Sequence, residues 1–223
     1  MVKWSSQELR SYSMKRKPTL GILGAGKLGT TLGRIFIKAG YPVMISGSKD
    51  VEKIALTVEV LVPNAIAATK ENVIEAADII ILALPLSKMD TIPTTHIKDK
   101  IVIDTMNYWW EVDGVNRIPS DPTISSSELV SKTIGSNRVV KAYNHMGYHD
   151  LEFETHAKDR KVIALASDDE DAKMIVKQII EDTGFDPLDL GSLHQGIVLE
   201  PGSDLFGANL PRHEFLETLK KYI

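Results

Sequence analysis

A glycine-rich turn between a buried strand and an amphipathic helix constrains the fold of this chain more than any other feature. Residues 19–23 form a short apolar run, and the sequence Gly-Ala-Gly-Lys-Leu-Gly follows at residues 24–29. Residues 27–39 then repeat apolar side chains at helical spacing and end at Gly40, a residue type that often stops a helix. A G-x-G-x-x-G run that closes a strand and opens a helix is typical of a dinucleotide-binding β-α-β unit. The sequence therefore predicts a Rossmann-type fold.

The three glycines of this turn have different predicted roles. Gly24 permits the tight turn, Gly26 lets the backbone approach a pyrophosphate, and Gly29 allows the helix to pack closely on the strand. The free N–H groups at the start of the helix would hold the anionic pyrophosphate. The alternative is a glycine-rich turn in an unrelated α/β protein. The candidate cofactor contacts in this turn are Gly24, Ala25, Gly26, Lys27 and Leu28.

Strands and helices alternate along most of the chain, which favours a parallel sheet with helices on both faces. The predicted strands are 19–23, 43–46, 65–68, 78–84, 101–104, 139–143 and 161–166, and the predicted helices are 27–39, 51–60, 72–77, 168–182 and 211–222. Residues 184–207 are rich in turn-forming residues. We expect an α/β fold, a Rossmann-type doubly wound parallel sheet with a small C-terminal α/β lobe. The predicted division is a polar extension (1–13), a nucleotide-binding Rossmann domain (14–145) and a small lobe packed on it (146–223).

Composition and charge exclude several classes of function. The net charge of −4 and the lack of a basic patch argue against a nucleic-acid partner. The chain has no cysteine, which excludes disulfides, thiol catalysis and Cys-ligated metals. No run approaches the ~20 apolar residues of a membrane span, and the polar first residues do not resemble a signal peptide. We therefore expect a cytoplasmic protein without a membrane partner.

The end of the second predicted strand favours NADP(H) over NAD(H). An NAD site usually places an acidic residue there to accept from the ribose hydroxyls, whereas residues 46–49 read Ser-Gly-Ser-Lys and the first acid is Asp50. Two hydroxyls and a cation can form charge-assisted hydrogen bonds with a 2′-phosphate. The alternative is a solvated turn, since this composition is ordinary for turns. The candidate contacts are Ser46, Gly47, Ser48, Lys49 and Lys53.

Further candidate contacts follow the fourth, fifth and sixth strands, because ligands of open α/β sheets bind outside the carboxyl ends of the strands. They are Ala83, Leu84, Pro85, Asn107 and Ala142. Tyr108, Trp109 and Trp110 come directly after the fifth strand and could form an aromatic wall for a planar acceptor. They could equally belong to the core or to a dimer contact. Phe206, in a glycine-flanked loop, is a weaker candidate of the same kind.

Five segments together resemble the deazaflavin-dependent NADP reductases, a family of coenzyme F420-dependent NADP oxidoreductases. They are GILGAGKLG, ISGSKDVEKI, DIIILALP, VVKAYNHM and the late run FDPLDLGSLHQGIVLEPG. The resemblance covers nearly everything from residue 18 to about residue 207.

The resemblance implies NADP(H) as cofactor and a flavin or deazaflavin as the second redox partner, in a cleft roofed by the C-terminal lobe. It assigns Ser48, Lys49 and Lys53 to the 2′-phosphate, and it implies a homodimer. It also implies that Ala25 and Leu28 lie against the pyrophosphate, Pro85 beside the cofactor and residues 142–145 by the nicotinamide. The Trp109-Trp110 pair departs from the pattern of the deazaflavin enzymes and leaves the identity of the acceptor open.

Hydride transfer between two rings needs alignment and exclusion of water more than acid–base catalysis. No Tyr-x-x-x-Lys pair of the carbonyl reductases is present. His145 is the best candidate for a proton donor, because it follows the sixth strand and titrates near neutral pH. Asn144 and Lys141 are candidate polar groups at the same place. Each of these three residues could instead have a structural role. The spacing of His145 and His149 is only a weak pattern for a metal site, so we expect no bound metal.

These observations predict an NADP(H)-dependent oxidoreductase that passes a hydride between NADPH and a flavin, a deazaflavin or another small planar acceptor. Two alternatives remain open. One is an NADP(H)-binding redox sensor without turnover. The other is a dehydrogenase of a small hydroxy or imino acid, although such enzymes usually add a long helical domain after the Rossmann half.

Overall fold

A single β-sheet organises the fold of the described residues. The structure, a computed structural model, describes residues 16–48, 50–114 and 123–222. Within these ranges eight strands form a single sheet in the order β3-β2-β1-β4-β5-β6-β7-β8. The strands are β1 (Leu20–Leu23), β2 (Val43–Ser46), β3 (Ile66–Ala67), β4 (Ile79–Leu82), β5 (Ile101–Asp104), β6 (Val139–Ala142), β7 (Val162–Ala166) and β8 (Asp186–Asp189). The first six run parallel, β7 is antiparallel to β6, and β8 is parallel to β7.

Helices cover both faces of this sheet. They are α1 (Lys27–Lys38), α2 (Val51–Leu61), α3 (Lys70–Ala76), α4 (Trp110–Asp113), α5 (Ser126–Ile134), α6 (Tyr148–Glu154), α7 (Glu170–Asp182) and α8 (Arg212–Leu219). Two 3-10 helices span Leu86–Thr91 and Leu193–Leu199.

The central strand β4 shows why both faces must be covered. All four of its residues are buried apolar side chains, and successive side chains of a strand point to opposite faces. Ile79 and Ile81 belong to one core cluster, with apolar residues of α1 and α7. Ile80 and Leu82 belong to a second cluster on the other face, with α3 and α5. This arrangement confirms the expected doubly wound α/β fold.

The C-terminal part differs from the expectation in one respect. Strand β8 lies inside the stretch for which only turns were predicted, and β6 pairs directly with β7. The C-terminal strands therefore extend the same sheet, and a third apolar cluster packs residues of β7 against the segment that leads to α8. The division of the chain at residue 145 stays a prediction. Helices α4, α5 and α6 were not predicted either.

Candidate functional site

The glycine-rich turn joins the carboxyl ends of β1, β2 and β4. The Gly24 N–H donates to the Ser46 carbonyl at 2.8 Å. Gly24 has a φ of 131°, and a Cβ there would collide with the backbone carbonyl of Ala83. Both observations require glycine at this position. The turn is therefore fixed between two neighbouring strand ends, as a dinucleotide site demands.

The start of α1 is open on its solvent side. A Cβ at Gly29 would collide with the Gly24 carbonyl, so this glycine allows close packing. A Cβ at Gly26 would meet no atom of the described residues within 4 Å, its two chain neighbours aside. Gly26 is the N-cap, no side chain caps the helix, and the first turn holds no acidic residue. The first N–H groups of an α-helix have no partner within the helix, and anions bind there. The space and the free donors fit a pyrophosphate.

The other residues of the turn contribute in different ways. Ala25 and Leu28 are partly buried, and their side chains pack against the first core cluster. The Lys27 ammonium lies 3.2 Å from the hydroxyl of Tyr148 and approaches the start of α6. A cation therefore stands beside the helix N-terminus, although it already has a hydroxyl partner.

The end of β2 holds the predicted 2′-phosphate residues. Ser46 is buried, and its hydroxyl has no hydrogen-bond partner within the described chain. A Cβ at Gly47 would lie 2.7 Å from Ile54 of α2, so this glycine is needed for packing. Ser48 is exposed, and the exposed Lys53 pairs with the Asp50 carboxylate at 3.0 Å. Lys49 lies outside the described residues, and the assignment to a 2′-phosphate stays a prediction.

A buried carboxylate that the sequence analysis missed connects the ends of β4 and β5. Asp113 accepts the Ser87 N–H through Oδ1 and the Trp109 N–H through Oδ2, both at 2.8 Å. Ser87 lies two residues beyond Pro85, which is exposed and precedes the 3-10 helix Leu86–Thr91. The turn after β4 and the aromatic segment after β5 are thus held at a fixed separation. The Trp-x-x-x-Asp spacing alone did not reveal this role.

Asn107 and Asn144 join the ends of β5 and β6. The Asn107 amide donates to the Asn144 carbonyl at 2.9 Å, and the Asn144 amide donates to Asn107 Oδ1 at 3.0 Å and to the Leu199 carbonyl at 2.8 Å. Ala142 is fully buried, so its side chain belongs to the core. The structure therefore brings the two predicted asparagines together at the carboxyl edge and attaches them to the C-terminal segment.

The structure places the His145 side chain away from solvent, and its role as a proton donor stays a prediction. Its side chain is 1% exposed, its Nε2 accepts the Ala164 N–H of β7 at 3.1 Å, and its ring packs against Phe215 of α8. Burial lowers the pKa of His145 to about 4, and the backbone of Ala208 offsets this only in part. The side chain is a neutral packing group among C-terminal elements, and its engaged Nε2 is not free to bind a metal.

Lys141 is also structural. Its ammonium is fully buried and lies 3.3 Å from Asp104 Oδ2, 2.6 Å from the Met106 carbonyl and 3.2 Å from Ser126 Oγ. Ser127 donates to the same carboxylate oxygen at 2.6 Å. The ammonium is thus surrounded by acceptors, and its hydrogen bond to the Met106 carbonyl fixes the loop after β5. It has no free donor to offer a ligand in this arrangement.

Neither a metal centre nor a membrane-spanning helix is found among the described residues. No group of three or more His, Asp or Glu side chains is arranged to hold a metal ion in this part of the chain. Across residues 16–48, 50–114 and 123–222, no helix has the length and apolar character needed to cross a bilayer.

Comparison with known families identifies the part of the chain that contains the glycine-rich turn. Residues 19–108 match the family described as NADP oxidoreductase, coenzyme F420-dependent. The resemblance predicted from the sequence is thereby confirmed for this part. The matched part contains the glycine-rich turn and strands β1 to β5.

Individual relatives extend the similarity beyond residue 108. A hypothetical protein from Sinorhizobium meliloti has a TM-score of 0.75 and 28% identity, over 91% of this chain and 99% of that protein. A candidate F420-dependent NADP reductase from Arthrobacter sp. FB24 has a TM-score of 0.68 and 20% identity, over 80% of this chain and 86% of its own. Metalloreductase STEAP3 of Rattus norvegicus is 25% identical over 182 residues, which are 80% of this chain and only 35% of that relative.

Proposed function

We propose that this chain, whose residues 19–108 match an NADP oxidoreductase family, transfers a hydride between NADPH and a flavin, a deazaflavin or another small planar acceptor. One observation carries the proposal. The start of α1 combines free N–H groups, the open space at Gly26 and the absence of an acidic first turn. Such a helix start attracts a pyrophosphate, and the family match favours NADP(H) as the molecule that carries it.

The residues of this chain would divide the binding of NADPH among the strand ends. The backbone around Gly26 binds the pyrophosphate, and Ser48, Lys49 and Lys53 bind the 2′-phosphate. The segment 83–85 and the Asn107–Asn144 pair border the reactive half of the cofactor. NADPH, when bound, supplies two electrons and one proton as a hydride, and a second proton for the acceptor comes from water.

The burial of the His145 side chain is compatible with hydride transfer between two rings. Such a transfer depends on alignment and on exclusion of water, so a buried neutral histidine behind the site does not obstruct it. Asn144, whose amide is held by Asn107 and Leu199, acts in this proposal by fixing the strand end rather than by moving a proton.

The hydroxy or imino acid dehydrogenase is the weaker alternative. Within the described part of the chain, β6 is followed by two strands of the same sheet, and the longest helix after it is α7 with 13 residues. The dehydrogenase alternative predicts a long helical segment after β6, whereas the described residues at that place form the short helix α6 and then strands of the same sheet. The redox sensor stays a second candidate, because no described side chain is required for proton transfer. We also propose a homodimer, which the resemblance implies and which sedimentation would test, and a cytoplasmic location, which rests on the composition of the sequence.

The first experiment measures the oxidation of NADPH and of NADH, followed by the absorbance of the reduced nicotinamide. The acceptors are FMN, FAD, the deazaflavin, a quinone and a ferric chelate. Consumption of NADPH with one preferred acceptor is the expected result. Binding of NADPH by calorimetry without turnover of any acceptor would favour the sensor, and equal use of NADH would refute the 2′-phosphate assignment.

Substitution Gly26→Ala tests the site itself. The new methyl group meets no atom of the residues that the structure describes, its chain neighbours aside, so the melting temperature should not change, while the space for the pyrophosphate is filled. We expect NADPH affinity to fall by about tenfold or more, equivalent to roughly 1.4 kcal/mol of binding free energy. Gly147→Ala is the control, since Gly147 has a φ of −62° and its added Cβ meets only Asp150 Oδ2 at 3.3 Å. Unchanged NADPH affinity in Gly26→Ala would refute this placement.

A further inference from the structure

We propose that Trp109 and Phe206 form an aromatic wall that selects the hydride acceptor by stacking, and that Asp113 is the positioning residue of this wall. The inference rests on the proposed function and deepens it, because it assigns acceptor choice to particular side chains. The acceptor class that fits is a planar conjugated ring system, as opposed to a small aliphatic carbonyl or imine.

The two side chains come from distant parts of the sequence and meet at the carboxyl edge of the sheet. Their ring centroids lie 5.5 Å apart at an interplanar angle of 65°, an edge contact typical of favourable aromatic pairs. Trp109 nevertheless leaves 46% of its surface exposed. An edge contact uses the rim of one ring, so it leaves aromatic surface available to a planar ligand.

The wall is fixed on the Trp109 side by a buried carboxylate. Asp113 is 7% exposed and accepts the Trp109 N–H at 2.8 Å. The other oxygen of the same carboxylate accepts the Ser87 N–H at 2.8 Å, and Ser87 belongs to the turn that follows Pro85. Trp109 is therefore held at a fixed distance from a segment assigned to the cofactor.

The wall is fixed on the Phe206 side by the end of β6. The N–H of Gly207 donates to the His145 carbonyl at 2.7 Å. The neighbouring Asn144 amide donates to the Leu199 carbonyl, which ties the start of the same C-terminal loop to the strand end. Both rings are thus positioned by the backbones that border the predicted site of the nicotinamide.

The chemistry of the wall favours one class of acceptor. Stacking of a planar heterocycle on an aromatic side chain contributes about 1–3 kcal/mol, and it is tolerant of substituents because it uses the ring face. An octahedral inorganic oxidant gains nothing from such a surface. The wall should therefore lower the KM of ring acceptors and leave inorganic acceptors unaffected.

The test compares Trp109→Ala with Trp110→Ala in the full chain. Trp110 is the adjacent residue and is 62% exposed, so its removal is a matched change of size and chemistry. We expect Trp109→Ala to raise the KM for FMN by about tenfold, within the range of one lost stacking contact, with the KM for ferricyanide and the Kd of NADPH unchanged. Trp110→Ala should behave as the wild type, and Trp109→Phe should recover most of the loss.

Calorimetry of FMN binding at saturating NADP⁺ separates this inference from the proposed function. Weaker FMN binding in Trp109→Ala supports the aromatic wall even if no acceptor is turned over. In that case the proposed oxidoreductase activity is refuted, whereas the wall is supported as a binding site for a planar ring. Equal FMN binding by wild type and Trp109→Ala, or equal losses in both tryptophan variants, overturns the wall. Asp113→Asn should raise the KM for FMN without changing that for ferricyanide, whereas a merely structural role would lower both activities together.

Discussion

Mild acid should destabilise this protein through one residue, His145. The imidazole is fully buried and accepts the Ala164 N–H through Nε2. Protonation of Nε2 would place an N–H group opposite the Ala164 N–H, so two donors would face each other. It would also leave a positive charge in an apolar environment beside Phe215. Burial accordingly lowers the pKa of His145 to about 4, against an ordinary value of 6.5.

The expected magnitude follows from these two pKa values. The unfolded chain takes up a proton near pH 6.5, whereas the folded protein resists until about pH 4. This contribution to stability is therefore fully present above the unfolded pKa and is lost progressively as the pH falls toward the folded pKa. Between about pH 7.5 and about pH 5 the loss is roughly 2 kcal/mol, from 1.36 kcal/mol for each unit of pKa separation that is traversed.

Urea unfolding at both pH values measures this loss in the wild type and in His145→Gln. Carboxylates titrate in both proteins, so the difference between their pH dependences isolates His145. The variant should lose less stability on acidification, by roughly 2 kcal/mol, and His149→Gln, which changes an exposed histidine, should follow the wild type. Identical pH dependences in wild type and His145→Gln would refute the reasoning, as would a ring titration near pH 6.5 in the NMR spectrum of the wild type.

Two further predictions concern stability. Lys141→Met should lower the free energy of unfolding by about 3–5 kcal/mol, because Asp104 is left charged and buried, and adding Asp104→Asn should restore much of it; equal denaturation midpoints for the single and double variants would contradict this. Asp169→Ala should cost about 1 kcal/mol in a thermal melt, because the Asp169 carboxylate caps α7 by accepting the Ala172 N–H, and Asp169→Asn should recover most of the loss. An unchanged melting temperature in Asp169→Ala would exclude the cap as a source of stability.

The inner parallel strands β1, β4, β5 and β6 could be predicted because all of their residues are buried. The apolar runs at 43–46 and 101–104 predict the bounds of β2 and β5 correctly. The prediction for β4, residues 78–84, includes a few more residues than the observed strand Ile79–Leu82. Continuous apolar runs bounded by turn residues are the pattern of such strands. The glycine-rich turn was likewise predictable, since steric exclusion at Gly24 and Gly29 leaves no other residue type.

The missed elements have weaker or misread patterns. Strand β8 begins with Asp186 and Pro187, and a proline is tolerated there because β8 is the edge strand of the sheet. Helix α5 begins with consecutive serines, which suggest a loop. Its signal was the capping box in which Ser125 and Glu128 exchange hydrogen bonds, a pattern that was present in the sequence and overlooked.

The orientation of the His145 side chain toward β7 could not have been predicted from the sequence. Tyr143 ends the alternation of β6 with a φ of 59°, a conformation rare for a bulky residue. The chain turns sharply there, so Asn144 points to the loop after β5 and His145 returns toward β7. The Tyr143 hydroxyl is bound to Thr183 at 3.0 Å, a partner far along the chain that no local pattern announces.

The antiparallel pairing of β6 and β7 reverses the direction in which the chain leaves the sheet. A chain leaving β8 emerges at the amino edge of the parallel strands and must travel back across one face before Gly207 can reach the end of β6. The matched family segment ends at residue 108, one position before Trp109. On the proposed assignment, the glycine-rich turn lies inside this matched segment and the acceptor wall lies outside it. A substitution in the returning segment, such as one at Phe206, is therefore expected to alter the choice of acceptor while the glycine-rich turn remains unchanged.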